Sequence, residues 1–223
     1  SCLRVLRCIG VDTSRILKTK AGRLGLYFVE KGANQRPSNV VYDRSHSAIA
    51  EARPADFNWT AIVADACWLH TTGITPALSE NAFQSTLAAV QAAQTAGLTV
   101  SCDLNFRKKL WDWEPGTKST DLARRCLTAI LPHVDVCIAN EEDAADVLGI
   151  HAEGSDIEGG SLAVDRYPEV AREIIRLFPN ITKVAITLRE SISASHNNWG
   201  AMLYDTLSDR ACFAPLKNEE YAP

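Results

Sequence analysis

Beyond about residue 60 the chain switches repeatedly between short apolar runs and stretches whose apolar positions lie three or four apart. The run AIVADACWLH (61–70) has the apolar density of a buried strand. In the next segment, SENAFQSTLAAVQAAQTAG, Ser79 is a suitable N-cap, Phe83, Leu87 and Val90 fall on one helical face, and Gly97 ends the helix. LTVSCD (98–103) predicts a strand. A helix from about Thr120 turns Leu122, Cys126 and Ile130 inward and stops at Pro132. VDVCIA (134–139) predicts another strand, EEDAADVL a short helix ending at Gly149, residues 168–177 a helix, and KVAITL (183–188) a further strand. Strands separated by helices of this length predict an α/β fold, a parallel sheet with helices on both faces.

The first 60 residues follow another pattern. RLGLYFVEKG and SNVVYDRS are strand-like and are joined by the turn-rich ANQRP, which predicts a β-hairpin or small-sheet excursion from the α/β body. Such an excursion is a candidate lid. IHAEGSDIEGGSLAVD (150–165) reads as a loop and SHNNWGAMLYD as a turn into one more strand. No internal repeat or low-complexity segment interrupts this order, so one domain over residues 1–223 is expected, with the lid segment at 22–50.

Charge narrows the function classes. A net charge of −4, with a sequence pI near 5.7, gives no electrostatic footprint for nucleic acid or an anionic membrane. No apolar stretch approaches the roughly 20 residues that span a bilayer, and no leader pattern opens the sequence. The seven cysteines, at 2, 8, 67, 102, 126, 137 and 212, are odd in number and show neither CxxC nor zinc-type spacing with histidine. That usage predicts a reducing, cytoplasmic setting and no structural metal.

Three polar strand ends carry the candidate chemistry. In SCDLNFRKKLW, Asp103, Asn105 and Arg107 share one face if the extended backbone continues past the strand. In CIANEEDAADVLG, Asn140 precedes three acids and a helix; it is a natural N-cap, and Asn140 and these acids also stand where open α/β sheets bind ligands, placed to orient nucleotide phosphate and Mg²⁺-bound water. ITLRES repeats the arrangement with Thr187, Arg189 and Glu190. On the hairpin, Tyr42 and Arg44 share a strand face; this suits an oxygen-rich anion such as a sugar acid, because arginine grips a carboxylate through two parallel hydrogen bonds. A solvent-exposed sheet edge accounts for the same pair. Tyr27 is open between that face and a core or edge position.

Taken together, RLGLYFVEKGANQRPSNVVYDRSHSAIA, WLHTTGITPALS, DLNFRKKLW, NEEDA and TLRES resemble the ribokinase-like (PfkB) sugar kinases, and in particular the branch acting on 2-keto-3-deoxygluconate. The resemblance runs from about Gly10 to about Tyr204. It implies a three-layer αβα sandwich with a mostly parallel central sheet and a small β-lid. It also implies phosphoryl transfer from ATP, with Mg²⁺, to a primary hydroxyl of the sugar acid. By motif, Tyr27, Tyr42, Arg44 and Arg107 match substrate-binding positions, and Asn105, Asn140, Thr187 and Arg189 match positions on the nucleotide side. Association into a homo-oligomer through or near the lid is implied as well.

The family pattern also has a C-terminal GxGD segment whose helix end cradles the phosphate and whose Asp is the base. The 223 residues contain no GxGD; EGGS (158–161) lacks the Asp. The expectation is a kinase fold incomplete at both ends and slow in turnover, since base and anion hole are absent together. Two alternatives remain open: another PfkB kinase acting on a neutral sugar or nucleoside, and a non-catalytic remnant that retains the sugar-acid pocket.

Overall fold

The structure is a computed structural model, and it describes residues 2–33, 36–150, 166–193 and 196–214. Two sheets organise it. The smaller pairs β1 (Leu26–Glu30) antiparallel with β2 (Asn39–Asp43). The larger has six strands in chain order: β3 (Trp68–Thr72), β4 (Thr99–Asp103), β5 (Val136–Asn140), β6 (Lys183–Ser193), β7 (His196–Asp205) and β8 (Arg210–Ala214). Strands β3 to β6 are parallel, and β7 and β8 are added antiparallel.

The helices are α1 (Cys2–Cys8), α2 (Ala48–Glu51), α3 (Trp59–Val63), α4 (Glu80–Thr95), α5 (Ser119–Ile130), α6 (Glu141–Asp143, continued as a wider turn through Leu148) and α7 (Tyr167–Leu177). Because β3, β4, β5 and β6 succeed one another in the same direction, right-handed crossovers carry α4, α5 and α7 to one face of the sheet. Burial follows this rule. Val100, Cys102, Cys137, Ala139, Val184, Ile186, Leu188 and Met202 are buried on that face, against Val90 and Ala93 of α4, Leu122 and Leu127 of α5, and Val170 and Ile174 of α7. The alternate positions behave differently: Asp103 and Asn140 are half-buried, and Trp68, Thr187, Arg189 and Trp199 are exposed. The polar strand-end residues therefore stand on the face opposite the helices just named.

Local sequence explains most boundaries. Ser79 caps α4 by accepting from the Ala82 N–H at 3.0 Å, and Gly97 leaves it with φ +75°. Gly149 closes the turn after α6 with φ +72°. The expected strand at 61–70 is corrected: Asn58 Oδ1 accepts from Ala61 N at 3.1 Å and starts α3, so the strand begins only at Trp68. The predicted hairpin, the helices near 80–95, 119–130 and 167–177, and the strands after residue 98 are present. Helix α1 and strand β8 were not expected, and the loop read at 150–165 lies mostly outside the described residues. Among the described residues no helix is long and apolar enough to cross a membrane.

Candidate active site

The hairpin sheet assembles the first cluster. Its register places Tyr27 directly opposite Tyr42, so the two phenol rings share a face. The Arg44 guanidinium lies over both, 5.5 Å from the Tyr27 ring centre and 5.4 Å from that of Tyr42. Tyr27 is exposed, whereas Tyr42 is half-buried and packs against the main core. Arg23 pins the base of the hairpin through the Asp43 carboxylate and the Ser45 carbonyl. From the body, Lys109 Nζ reaches the Val40 carbonyl at 3.5 Å. Tyr27, Tyr42 and Arg44 thus form one preorganised group, and the 103–109 segment touches the sheet that carries it.

That segment does not continue as a strand. The ladder ends where Leu104 N donates to the Ile138 carbonyl at 2.8 Å, and Asn105 then turns the chain with φ +39°. Asparagine tolerates this left-handed conformation better than most residues. The expectation that Asp103, Asn105 and Arg107 alternate along one extended face is corrected accordingly. Leu104 and Phe106 are buried, Asn105 Nδ2 donates to Thr72 Oγ1 at 3.2 Å, and Arg107 is exposed with Nη1 donating to the Phe106 carbonyl at 2.8 Å. Gly73 lets the β3 end pass this turn, since a Cβ there would sit 2.0 Å from the Leu104 carbonyl oxygen. Burial raises the Asp103 carboxyl above its ordinary range, partly opposed by a hydrogen bond from the Asn105 backbone and by the nearby His70 and Arg107.

At the β5 end Asn140 caps α6, its Oδ1 accepting from Asp143 N at 2.7 Å. Asp143 answers with a longer bond from Asn140 N at 3.4 Å, a capping box, and its other oxygen accepts from Phe106 N at 2.9 Å. Only 3% exposed, Asp143 is pushed up to about 6, burial outweighing its two backbone donors and Arg107, with Asp103 adding to the rise. Thr187 lies in register with Asn140 on the neighbouring strand. Arg189 is two residues further along, beyond the last β5 pairing; its guanidinium stacks 5.4 Å from the Trp199 ring, and Nε donates to Asn197 Oδ1 at 3.0 Å. The side chain of Glu190 lies outside the described part.

The structure therefore brings together Tyr27, Tyr42 and Arg44 in one cluster. It ties Asn105 and Arg107 to Asn140 through Phe106 and Asp143, and sets Thr187 and Arg189 on the adjoining strand. Thr72, Gly73 and Trp199 were not singled out from the sequence, and Asp143 was expected only as one of the three acids after Asn140. Its three-residue spacing from the N-cap Asn140, which marks a capping box, was the signal for its structural role. Among the described residues no group of three or more His, Cys, Asp or Glu is placed to hold a metal ion.

Residues 1–176 match the pfkB family carbohydrate kinases. The chain belongs to this family. It is 43% identical over 126 residues to a 2-dehydro-3-deoxygalactonokinase of Haloferax volcanii, covering 56% of this chain and 37% of that protein. To a 2-dehydro-3-deoxygluconokinase of Thermoproteus tenax it is 30% identical over 147 residues, covering 65% of this chain and 42% of that one. The crystal structure of a 2-dehydro-3-deoxygluconokinase from Thermotoga maritima is similar at 43% identity with a TM-score of 0.81, over 93% of this chain and 59% of that chain. This pfkB chain thus spans well under two thirds of the length of each relative. The mostly parallel sheet with helices and the small antiparallel sheet expected from the sequence are both present, but among the described residues the crossover helices lie on one face of the sheet rather than on both.

Proposed function

We propose that these residues form the sugar-acid side and part of the nucleotide side of a kinase that transfers the γ-phosphoryl group of ATP to 2-keto-3-deoxygluconate or a close isomer. The observation that carries this reading is the Arg44 guanidinium held over Tyr27 and Tyr42. A planar cation fixed by two rings has little freedom to lose when it grips a carboxylate, a feature that a neutral sugar does not need. The names of the Haloferax, Thermoproteus and Thermotoga relatives support the same substrate class.

In this reading Arg44 and Arg107 bind the acid, the two tyrosines flank the sugar, and the hairpin sheet acts as a lid. Thr187 and Arg189, on the adjoining strand end, face the nucleotide phosphates, with Asn105 and Asn140 shaping the turn and helix start between them. ATP would supply the phosphoryl group, and Mg²⁺ bound with it would neutralise charge on its phosphates. The Asn140 side-chain oxygen and both Asp143 oxygens each accept a backbone N–H, so these two side chains hold the start of α6. Free thiols at all seven cysteines fit a reducing, cytoplasmic setting.

The test is calorimetric titration with 2-keto-3-deoxygluconate of the parent chain and of Arg44→Lys. Lysine keeps the charge but loses the planar fork, so binding weakened about tenfold or more is expected. Equal affinity in the two proteins contradicts the assignment of Arg44.

A further inference from the structure

Phe106 is gripped at both ends of its backbone. Its N–H donates to Asp143 Oδ1 at 2.9 Å, and its carbonyl accepts from the Arg107 guanidinium at 2.8 Å. The grip is needed because the β4 ladder has ended one residue after Asp103 and the left-handed turn at Asn105 points the next N–H away from any strand. Phe106 is 8% exposed, so water is a poor substitute, and a buried N–H without an acceptor is costly. The acceptor comes from 37 residues further along the chain, at the head of α6. There the same carboxylate also receives the Asn140 N–H, while Asn140 Oδ1 receives that of Asp143.

We propose that Asp143 is a positioning residue: its carboxylate clasps the 103–107 turn to the start of α6 and thereby fixes where Asn105 and Arg107 stand. Arg107 follows directly, because the carbonyl that orients its guanidinium belongs to the residue Asp143 holds. Asn105 is braced on the other side by Thr72, so the turn is fixed between β3 and α6. The choice of ligand in the test rests on the sugar-acid reading above; the clasp itself does not.

Two variants decide it. Asp143→Ala removes the acceptor; Asp143→Asn removes the charge and keeps one oxygen for the Phe106 N–H. Backbone hydrogen exchange is measured at Phe106 and at the buried amides of α4, and 2-keto-3-deoxygluconate is titrated by calorimetry. In Asp143→Ala, Phe106 exchange is expected to accelerate about tenfold or more with the α4 amides unchanged, and sugar-acid affinity to fall about tenfold. Asp143→Asn is expected to restore both to within about threefold of the parent. Unchanged Phe106 protection in a folded Asp143→Ala overturns the proposal, as does an Asp143→Asn that is as impaired as Asp143→Ala, because charge would then matter rather than the acceptor. If Asp143→Ala does not fold, Asp143→Asn decides alone, parent-like values supporting the clasp and tenfold losses overturning it. If the parent binds no sugar acid, the proposed function fails, and the exchange comparison still decides the clasp.

Discussion

Asp143→Asn should make the protein more stable at neutral and alkaline pH, although it removes a charge that accepts two hydrogen bonds. The Asp143 carboxyl sits at about 6 against an ordinary 3.8, chiefly because it is buried. At about 1.4 kcal/mol for each tenfold change, that gap disfavours the ionised folded state by roughly 3 kcal/mol. Asparagine carries no charge to bury but surrenders the weaker bond from Asn140 N, so a net gain of about 1–2 kcal/mol remains. The sign follows from linkage. The folded parent holds this proton more tightly than the unfolded chain, so the penalty is complete above about pH 7. It shrinks as pH falls through 6 and is gone below 3.8. Asp103, also raised by burial, bends the stability curve in the same direction, and its repulsion with Asp143 is part of the difference the variant removes. Urea unfolding of the pair at pH 8, 6, 5 and 4 measures it: the advantage of the variant should be largest at pH 8, cross zero near pH 5 and reverse by about 1 kcal/mol at pH 4. A variant less stable than the parent at pH 8 by more than about 1 kcal/mol, or a difference indifferent to pH, refutes the reasoning.

Other consequences are simpler. Gly73→Ala places a methyl against the Leu104 carbonyl and should cost about 1–3 kcal/mol in a thermal or urea melt while weakening sugar-acid binding; a melt unchanged from the parent contradicts the close approach. Native thiol titration should find four fast groups, Cys2, Cys8, Cys67 and Cys212, with Cys102, Cys126 and Cys137 reacting only on unfolding. Burial pushes Cys102 up to about 12 and Cys126 to about 11, so six or seven fast thiols in the folded protein would overturn the core assignment.

Much of the fold is readable because periodicity and punctuation agree. Ser79 and Gly97 bracket α4, and Leu122, Cys126 and Ile130 mark the inward stripe of α5. The stretch 61–70 misleads because a short apolar run fits helix or strand equally, and the deciding Asn58 cap lies outside it. In the site, Tyr42 and Arg44 share a face by simple alternation, but Tyr27 joins them only through the hairpin register, which an eight-residue connection does not dictate. The 103–107 turn departs from extended geometry at one left-handed asparagine, a conformation the residue permits but does not announce. Asp143 reads locally as a helix-start acid; its bond to Phe106 is long-range, and no local pattern encodes it.

The most direct test of the account is titration of the folded 223-residue chain with 2-keto-3-deoxygluconate and, in parallel, with ribose and fructose, repeated with Arg107→Ala. The account predicts saturable binding of the sugar acid, no measurable binding of the neutral sugars, and loss of about tenfold or more in affinity in the variant. Binding of ribose or fructose as tight as that of the acid, or sugar-acid binding indifferent to Arg107, would contradict it.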